Sequence, residues 1–173
     1  NVALGYQSMT TNTSGGSNTA VGTNSLAGNT TGNYNTAIGN STGASVTSGT
    51  ENTLVGTLAG LDLTTGSYNT LLGVYAGYNV TTGERNASLG RATLYTNTTG
   101  SRNTALGMSA LYYNTTASGN TAIGYDALAF NSTGAGHVAI GENSLDANTT
   151  GAENTAVGSY SMTDNSTGSG NVA

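Results

Sequence analysis

Few residues in this chain of 173 could carry out a reaction. It has one His, His137, and eight acidic residues, with no Cys and no Lys. No Ser-His-Asp spacing surrounds His137. No close pair of carboxylates recurs on one face, as a glycosidase would need. Without Cys there is no thiolate metal site. We therefore predict that the chain is not an enzyme and uses no metal or cofactor.

The residues that could bind a partner are aromatic or cationic, and they recur every seventeen residues. They form three series: Tyr78, Tyr95 and Tyr112; Tyr113 and Phe130; and Arg85 and Arg102, which follow Tyr68. Rings on adjacent strands stabilise a sheet by stacking, which is the role we favour. Arg beside Tyr adds a cation–π contact. An exposed aromatic stripe also predicts an alternative, a surface that binds cell-surface glycan.

The elements that position these residues follow from the same period. Blocks of seventeen keep phase over the whole chain, without insertion or deletion, which indicates stacked copies rather than a flexible linker. The full copies begin at 1, 18, 35, 52, 69, 86, 103, 120, 137 and 154, and residues 171–173 begin another. We treat residues 1–173 as a single repeat array and number the positions in each copy from one to seventeen.

The columns of this alignment predict short strands and turns. Position four is a branched apolar residue and position five is Gly in all ten copies. The Asn-Thr-Thr-Gly phrases at positions twelve to fifteen are typical of turns. Frequent Gly, Thr and Asn disfavour helix. The sequence therefore predicts an all-β fold, a parallel β-solenoid of ten seventeen-residue coils. Strands about 4.8 Å apart would make a rod of roughly 48 Å.

Positions nine and twelve exchange an apolar group. Seven copies have Leu or Met at position nine and Asn at position twelve. The other three have Gly at position nine and Val46, Leu63 or Val80 at position twelve. A core of fixed volume predicts this compensation.

The alternation of side chains along a strand separates positions two and four from positions three and five. We expect the aliphatic residue at position four to lie inside the coil. Position three is mostly Ala, so we expect this small face to be covered by another copy of the chain. The thin core, with 27 Leu, Ile, Val and Phe residues, also favours a multimer, and we predict a homotrimer. The alternative is that the Gly at position five marks a bend.

Asn residues in the turns match glycosylation sequons in seven copies. They are Asn12, Asn29, Asn97, Asn114, Asn131, Asn148 and Asn165. Five of these, from Asn97 to Asn165, are on consecutive coils, too close for a glycan on each, so we predict a ladder of amides. His137 replaces Asn at position one, and we predict that it takes the place of an amide in a similar ladder. Thr at positions thirteen and fourteen suggests ice binding as a minor alternative, although adjacent residues would point to opposite faces.

Charge and hydropathy limit the partners. The net charge is −5 and there are three Arg residues, which disfavours binding to nucleic acid. No apolar run approaches the ~18 residues that a membrane helix needs, so we predict no membrane insertion in this segment. Neither end has the polar terminal coil that a solenoid requires, so we expect the segment to be cut from a longer array.

Two phrases carry a resemblance to known repeats. NTAVGTNSLAGNTTGNYNTAIG, from residue 18, and NTALGMSALYYNTTASGNTAIGYDALAFNSTG, from residue 103, resemble the repeats that precede the intramolecular-chaperone domain in phage tail-fibre and tailspike proteins. NTAIG, NTAVG and HVAIG are similar to the heads of trimeric autotransporter adhesins, which are β-rolls with a shorter repeat. The resemblance covers the whole chain. It implies a trimeric fibre that is extracellular, on a cell surface or on a virion.

From these observations we predict a structural shaft segment that spaces or displays an adhesive or receptor-binding end. The alternative is an adhesin module that binds surface glycan directly through the aromatic stripe.

Overall fold

A computed structural model describes all 173 residues and contains ten parallel strands and no helix. The strands are β1 (Val2–Leu4), β2 (Thr19–Val21), β3 (Thr36–Ile38), β4 (Thr53–Val55), β5 (Thr70–Leu72), β6 (Ala87–Leu89), β7 (Thr104–Leu106), β8 (Thr121–Ile123), β9 (Val138–Ile140) and β10 (Thr155–Val157). They form one sheet in chain order. No helix in the chain is long and apolar enough to span a bilayer.

Each strand pairs with the next at a separation of seventeen residues. Ala20, for example, is the partner of both Ala3 and Ala37. One coil is therefore one repeat, and the chain is a parallel β-solenoid, as the period predicts. The strands occupy positions two to four of each repeat, so the aromatic series lie in the turns that follow them.

Only one short strand forms in each coil. The backbone at positions seven, nine and seventeen is left-handed in every coil, with φ near 55° at Ser109 and Leu111. A left-handed residue interrupts the extended conformation. The rest of each coil is therefore turn, although its backbone still bonds to the next coil. Of 114 backbone hydrogen bonds, 18 lie within strands and most others join turns along the stack.

The two faces of the strand are the reverse of our expectation. Position three is the inward one: Ala20, Leu54 and Ala105 are 0 to 1% exposed. Position four points outward, and none of its ten aliphatic residues is buried. Most coils have Ala inside because the coil is thin and Leu or Met at position nine fills the space opposite. Leu54 and Leu71 lie in coils with Gly at position nine. The prediction that another copy covers the Ala side is therefore wrong, since the chain's own core covers it.

The core exchange between positions nine and twelve is present and also involves position three. Leu26 and Leu111 at position nine are fully buried, and so is Val46 at position twelve. A Cβ added to Gly43 would lie 2.6 Å from Leu54 Cδ1, so Leu at position three of the next coil takes that space. Gly at position nine also avoids the cost of roughly 1–2 kcal/mol that a left-handed backbone imposes on Leu.

The Gly at position five marks a bend and a close approach between coils. Gly39 has φ of 138°, which side chains with a Cβ rarely adopt. An added Cβ would also lie 2.7 Å from the carbonyl oxygen of Gly56 in the next coil. Both the conformation and the contact require Gly, which supports the second of our two interpretations of this column.

Candidate binding site: an aromatic ladder on the turns

Three rings of the first series stack along the rod. The centroids of Tyr78 and Tyr95 are 5.1 Å apart with planes 10° apart, and those of Tyr95 and Tyr112 are 5.0 Å and 5° apart. These spacings match the distance between neighbouring strands, so each ring stays in step with its coil. We call these three residues the tyrosine ladder. It confirms the predicted stacking of this series.

The second series forms a shorter stack beside the first. Tyr113 and Phe130 have centroids 5.2 Å apart and planes 14° apart. Tyr113 meets Tyr112 edge to face at 4.7 Å, which joins the two stacks. Tyr113 and Phe130 are 47% and 53% exposed, so much of their surface faces solvent.

The cationic series does not join these rings. Arg85 lies over Tyr68, with its guanidinium carbon 5.1 Å from the ring centroid, and forms an ion pair of 2.9 Å with Glu84. Both side chains of the ion pair are largely exposed, so its contribution to stability is small. Arg102 follows Arg85 at position seventeen of the next coil. Neither Arg contacts the tyrosine ladder.

A cleft of about 200 Å³ lies where the tyrosine ladder ends. Its lining residues are Ser109, Tyr112, Tyr113, Asp126, Ala129 and Phe130. The aromatic and cationic series identified from the sequence did not include Ser109 or Asp126. Both occupy position seven and begin the turns that place position ten: the Tyr112 amide donates to the Ser109 carbonyl, and the Ala129 amide to the Asp126 carbonyl, each at 3.2 Å. A turn of four residues brings its first and last side chains together, so this spacing is the signal that could have found them.

Burial and charge affect the ionisable groups around the cleft. The pKa of Tyr112 is raised, first by burial and then by Tyr95 and Tyr113. The pKa of Asp146, in the coil after Ala129, is raised by burial and also by the charges of Asp126 and Asp164. Mutually repelling carboxylates therefore lie near the cleft, and an anion there would add to the repulsion.

Tyr75 also touches the tyrosine ladder, and the series did not include it. Its ring centroid is 5.8 Å from that of Tyr78 and 6.2 Å from that of Tyr95. Like Ser109 and Asp126 it occupies position seven, and it packs beside the two rings of the ladder that do not line the cleft.

Buried Asn ladders hold the turns beneath these rings. At position twelve, Asn114 Nδ2 donates to Asn97 Oδ1 at 2.8 Å and to the Ala117 carbonyl at 3.0 Å. Asn29 Oδ1 has no partner because the next coil has Val46 there. Asn29, Asn97, Asn114, Asn131 and Asn148 are completely buried, so their amides have no room for a glycan. The Asn side chains of these sequons therefore hold the turns through hydrogen bonds, as predicted.

His137 lies in the second Asn ladder, at position one. Elsewhere the side-chain oxygen of each Asn accepts the amide N–H of the next coil; here Asn154 N–H donates to His137 Nδ1 at 3.2 Å. The His137 amide donates in turn to Asn120 Oδ1 at 3.0 Å. The ring is fully buried, and it replaces an amide as predicted. No three His, Asp or Glu residues meet in an arrangement that could hold a metal ion.

The Thr columns differ in exposure. At position thirteen, Thr98 Oγ1 donates to the carbonyl of Thr115 in the next coil at 3.1 Å, and this pattern recurs along the stack. The Ser and Thr residues at position fourteen are all exposed. Only one of the two columns therefore presents a free row of hydroxyls.

Comparisons with protein-family models, with curated proteins and with solved structures gave no match to this chain. Function is therefore inferred from the fold and from side-chain geometry.

Proposed function

We propose that this chain is a shaft segment of an extracellular or virion-borne fibre, assembled from three copies, which spaces or displays an adhesive or receptor-binding end. The observation that carries the proposal is the outer strip, by which we mean the side chains at positions two and four of the ten strands. Leu4, Leu89 and Val157 in this strip are 67%, 51% and 57% exposed.

The outer strip is continuous and uncharged, with a row of aliphatic side chains beside a row that is mostly Thr. Position four is Leu, Val or Ile in every coil, and position two is Thr, Val or Ala. At the spacing of neighbouring strands the strip is roughly 45 Å long. If it is about 10 Å wide, its area is on the order of 500 Å², and apolar patches of that size on soluble proteins commonly mark interaction sites.

A second copy of this chain is the partner that best matches the strip. A partner must match a regular ladder in which neighbours repeat about every 4.8 Å, and a second copy in the same register does so. A face two side chains wide buries little in a flat pair, because stable interfaces bury about 800 Å² on each partner. If three chains place their strips around one axis, each strip contacts the strips of both other chains. The resemblance to trimeric fibre repeats supports the same arrangement.

The test is the mass of the segment in solution, by light scattering on a fusion with a cap that does not itself oligomerise. The chain alone is 17.1 kDa, and we expect about three times the mass of the single fused chain. Replacing Val55 and Ile123 with Asp would place carboxylates in the strip and should give single chains with unchanged β-type circular dichroism. The matched control replaces the exposed Thr82 and Thr133 with Asp, which should leave the trimer intact.

A single-chain mass for the unaltered segment would contradict the proposal. The strip would then face water. Its rows of Thr and aliphatic methyl groups would favour the ice-binding alternative, which a measurement of thermal hysteresis would test.

A further inference from the structure

The tyrosine ladder ends abruptly at one coil. Tyr78, Tyr95 and Tyr112 occupy position ten in three successive coils, and the next coil has Ala129 at that position. Ala129 is 4% exposed and carries no ring. Beyond Tyr112 no further ring continues the parallel stack, and the ring that meets Tyr112 next is Tyr113, edge to face at 4.7 Å. The stack therefore ends at the cleft, whose lining includes both Tyr112 and Ala129.

The walls of the cleft are already in place. Tyr112 provides a ring face on one side, with its plane fixed by stacking 5.0 Å from Tyr95. Phe130, stacked on Tyr113, provides apolar surface on another side. The backbone beneath is held by hydrogen bonds to neighbouring coils: the Tyr113 amide donates to the Ala129 carbonyl at 2.8 Å, and the Phe130 amide donates to the Asp146 carbonyl at 3.1 Å. A ligand would therefore meet a rigid surface and lose little affinity to reorganisation.

The polar groups of the cleft define the chemistry of the ligand. Ser109 offers a hydroxyl and Asp126 a carboxylate, and both lie on the lining of the cleft. A carboxylate accepts hydrogen bonds and donates none when ionised. The ligand should therefore carry hydroxyl donors beside an apolar face. It should not be anionic, because the Asp126 carboxylate on the lining would repel a negative charge.

We propose that this cleft binds one neutral pyranose ring of a glycan. The C–H face of the sugar stacks on Tyr112, in the place that the next tyrosine of the ladder would occupy, and its hydroxyl groups donate to Asp126. A cleft of about 200 Å³ is below the range typical of drug-sized ligands, which fits one sugar ring rather than an oligosaccharide. The cleft lies within one chain, so the proposal does not depend on the trimeric shaft.

The test is saturation-transfer NMR of the chain with methyl β-glucopyranoside, methyl β-galactopyranoside and, as the anionic comparison, sodium glucuronate. We expect signal from at least one neutral pyranoside and none from glucuronate. Replacing Ala129 with Tyr extends the tyrosine ladder into the cleft without removing any existing ring. That variant should weaken binding at least tenfold.

The matched control replaces Ala27 with Tyr. Ala27 is also at position ten, in a coil with Leu at position nine and Asn at position twelve, like the coil of Ala129, but far along the rod from the cleft. This control should bind as the unaltered chain does. Two results would overturn the proposal: no saturation transfer to either neutral pyranoside, or equal binding by Ala129→Tyr. Light scattering of the same samples reports separately on the trimer, so failure of the sugar site and failure of the shaft are distinguishable.

Discussion

At the scale of single residues, His137 is the titratable group whose environment is most constrained. It is fully buried in a column that otherwise holds Asn, and its Nδ1 accepts the amide proton of Asn154. Burial lowers its pKa below the ordinary value of 6.5. The unfolded chain therefore binds a proton near that pH when the folded chain does not. We predict that the free energy of unfolding is constant above the unfolded pKa and falls as the pH decreases below it.

The matched variant for this prediction is His137→Asn, which restores the residue found in the other coils. Urea unfolding at about pH 7.5 and about pH 5 should show a lower midpoint at the acidic pH for the unaltered chain and a smaller difference for the variant. The pKa of Asp146 is raised by burial, which has the opposite sign, but this group is present in both chains and cancels in the comparison. An equal loss of stability in the two chains would contradict the role of His137.

At the scale of one coil, stability depends on positions three, nine and twelve together. Replacing Leu111 with Gly removes a fully buried side chain and should cost about 3–5 kcal/mol, part of it offset by relief of the left-handed backbone. Replacing Asn114 with Val alone should also destabilise, because it crowds Leu111 and breaks the bond to Asn97 Oδ1. We predict that the double variant loses about 1–3 kcal/mol less than the sum of the single variants.

Urea unfolding of the four chains in this cycle gives the coupling energy. Leu111→Gly combined with Thr116→Val serves as the control, because Thr116 is exposed and outside the core. Its two effects should add. If Leu111→Gly and Asn114→Val were additive within about 0.5 kcal/mol, the exchange of core volume between positions nine and twelve would be wrong.

The sequence predicted the stack, its period and the exchange between positions nine and twelve, because each leaves a column that repeats ten times. It did not predict which strand face is inside. A branched aliphatic residue such as Ile38 was assigned to the core because burial is the usual fate of that residue type. The small size of Ala37 reflects a thin core, and only the three-dimensional coil distinguishes these explanations. Similarly, the tyrosine ladder was visible as a column, but Ser109 and Asp126 reach it through a turn.

At the scale of the whole molecule, each coil contacts only its neighbours. The rod is therefore stable only if every coil keeps the seventeen-residue register with the next one. Deleting residues 103–119 removes one whole coil and brings Asn97 next to Asn131, so the ladder at position twelve can continue. We predict that this chain unfolds in one cooperative thermal transition, followed by circular dichroism, with a lower midpoint than the unaltered chain.

Deleting residues 103–118 instead leaves every later residue one position out of register. Because side chains alternate along a strand, that shift would turn Ala122 outward and Ile123 inward. The coils before and after the deletion should then form two shorter stacks that unfold separately. Identical unfolding of the two deletion variants would mean that register between coils contributes little, and the stacked fold would lose its main support.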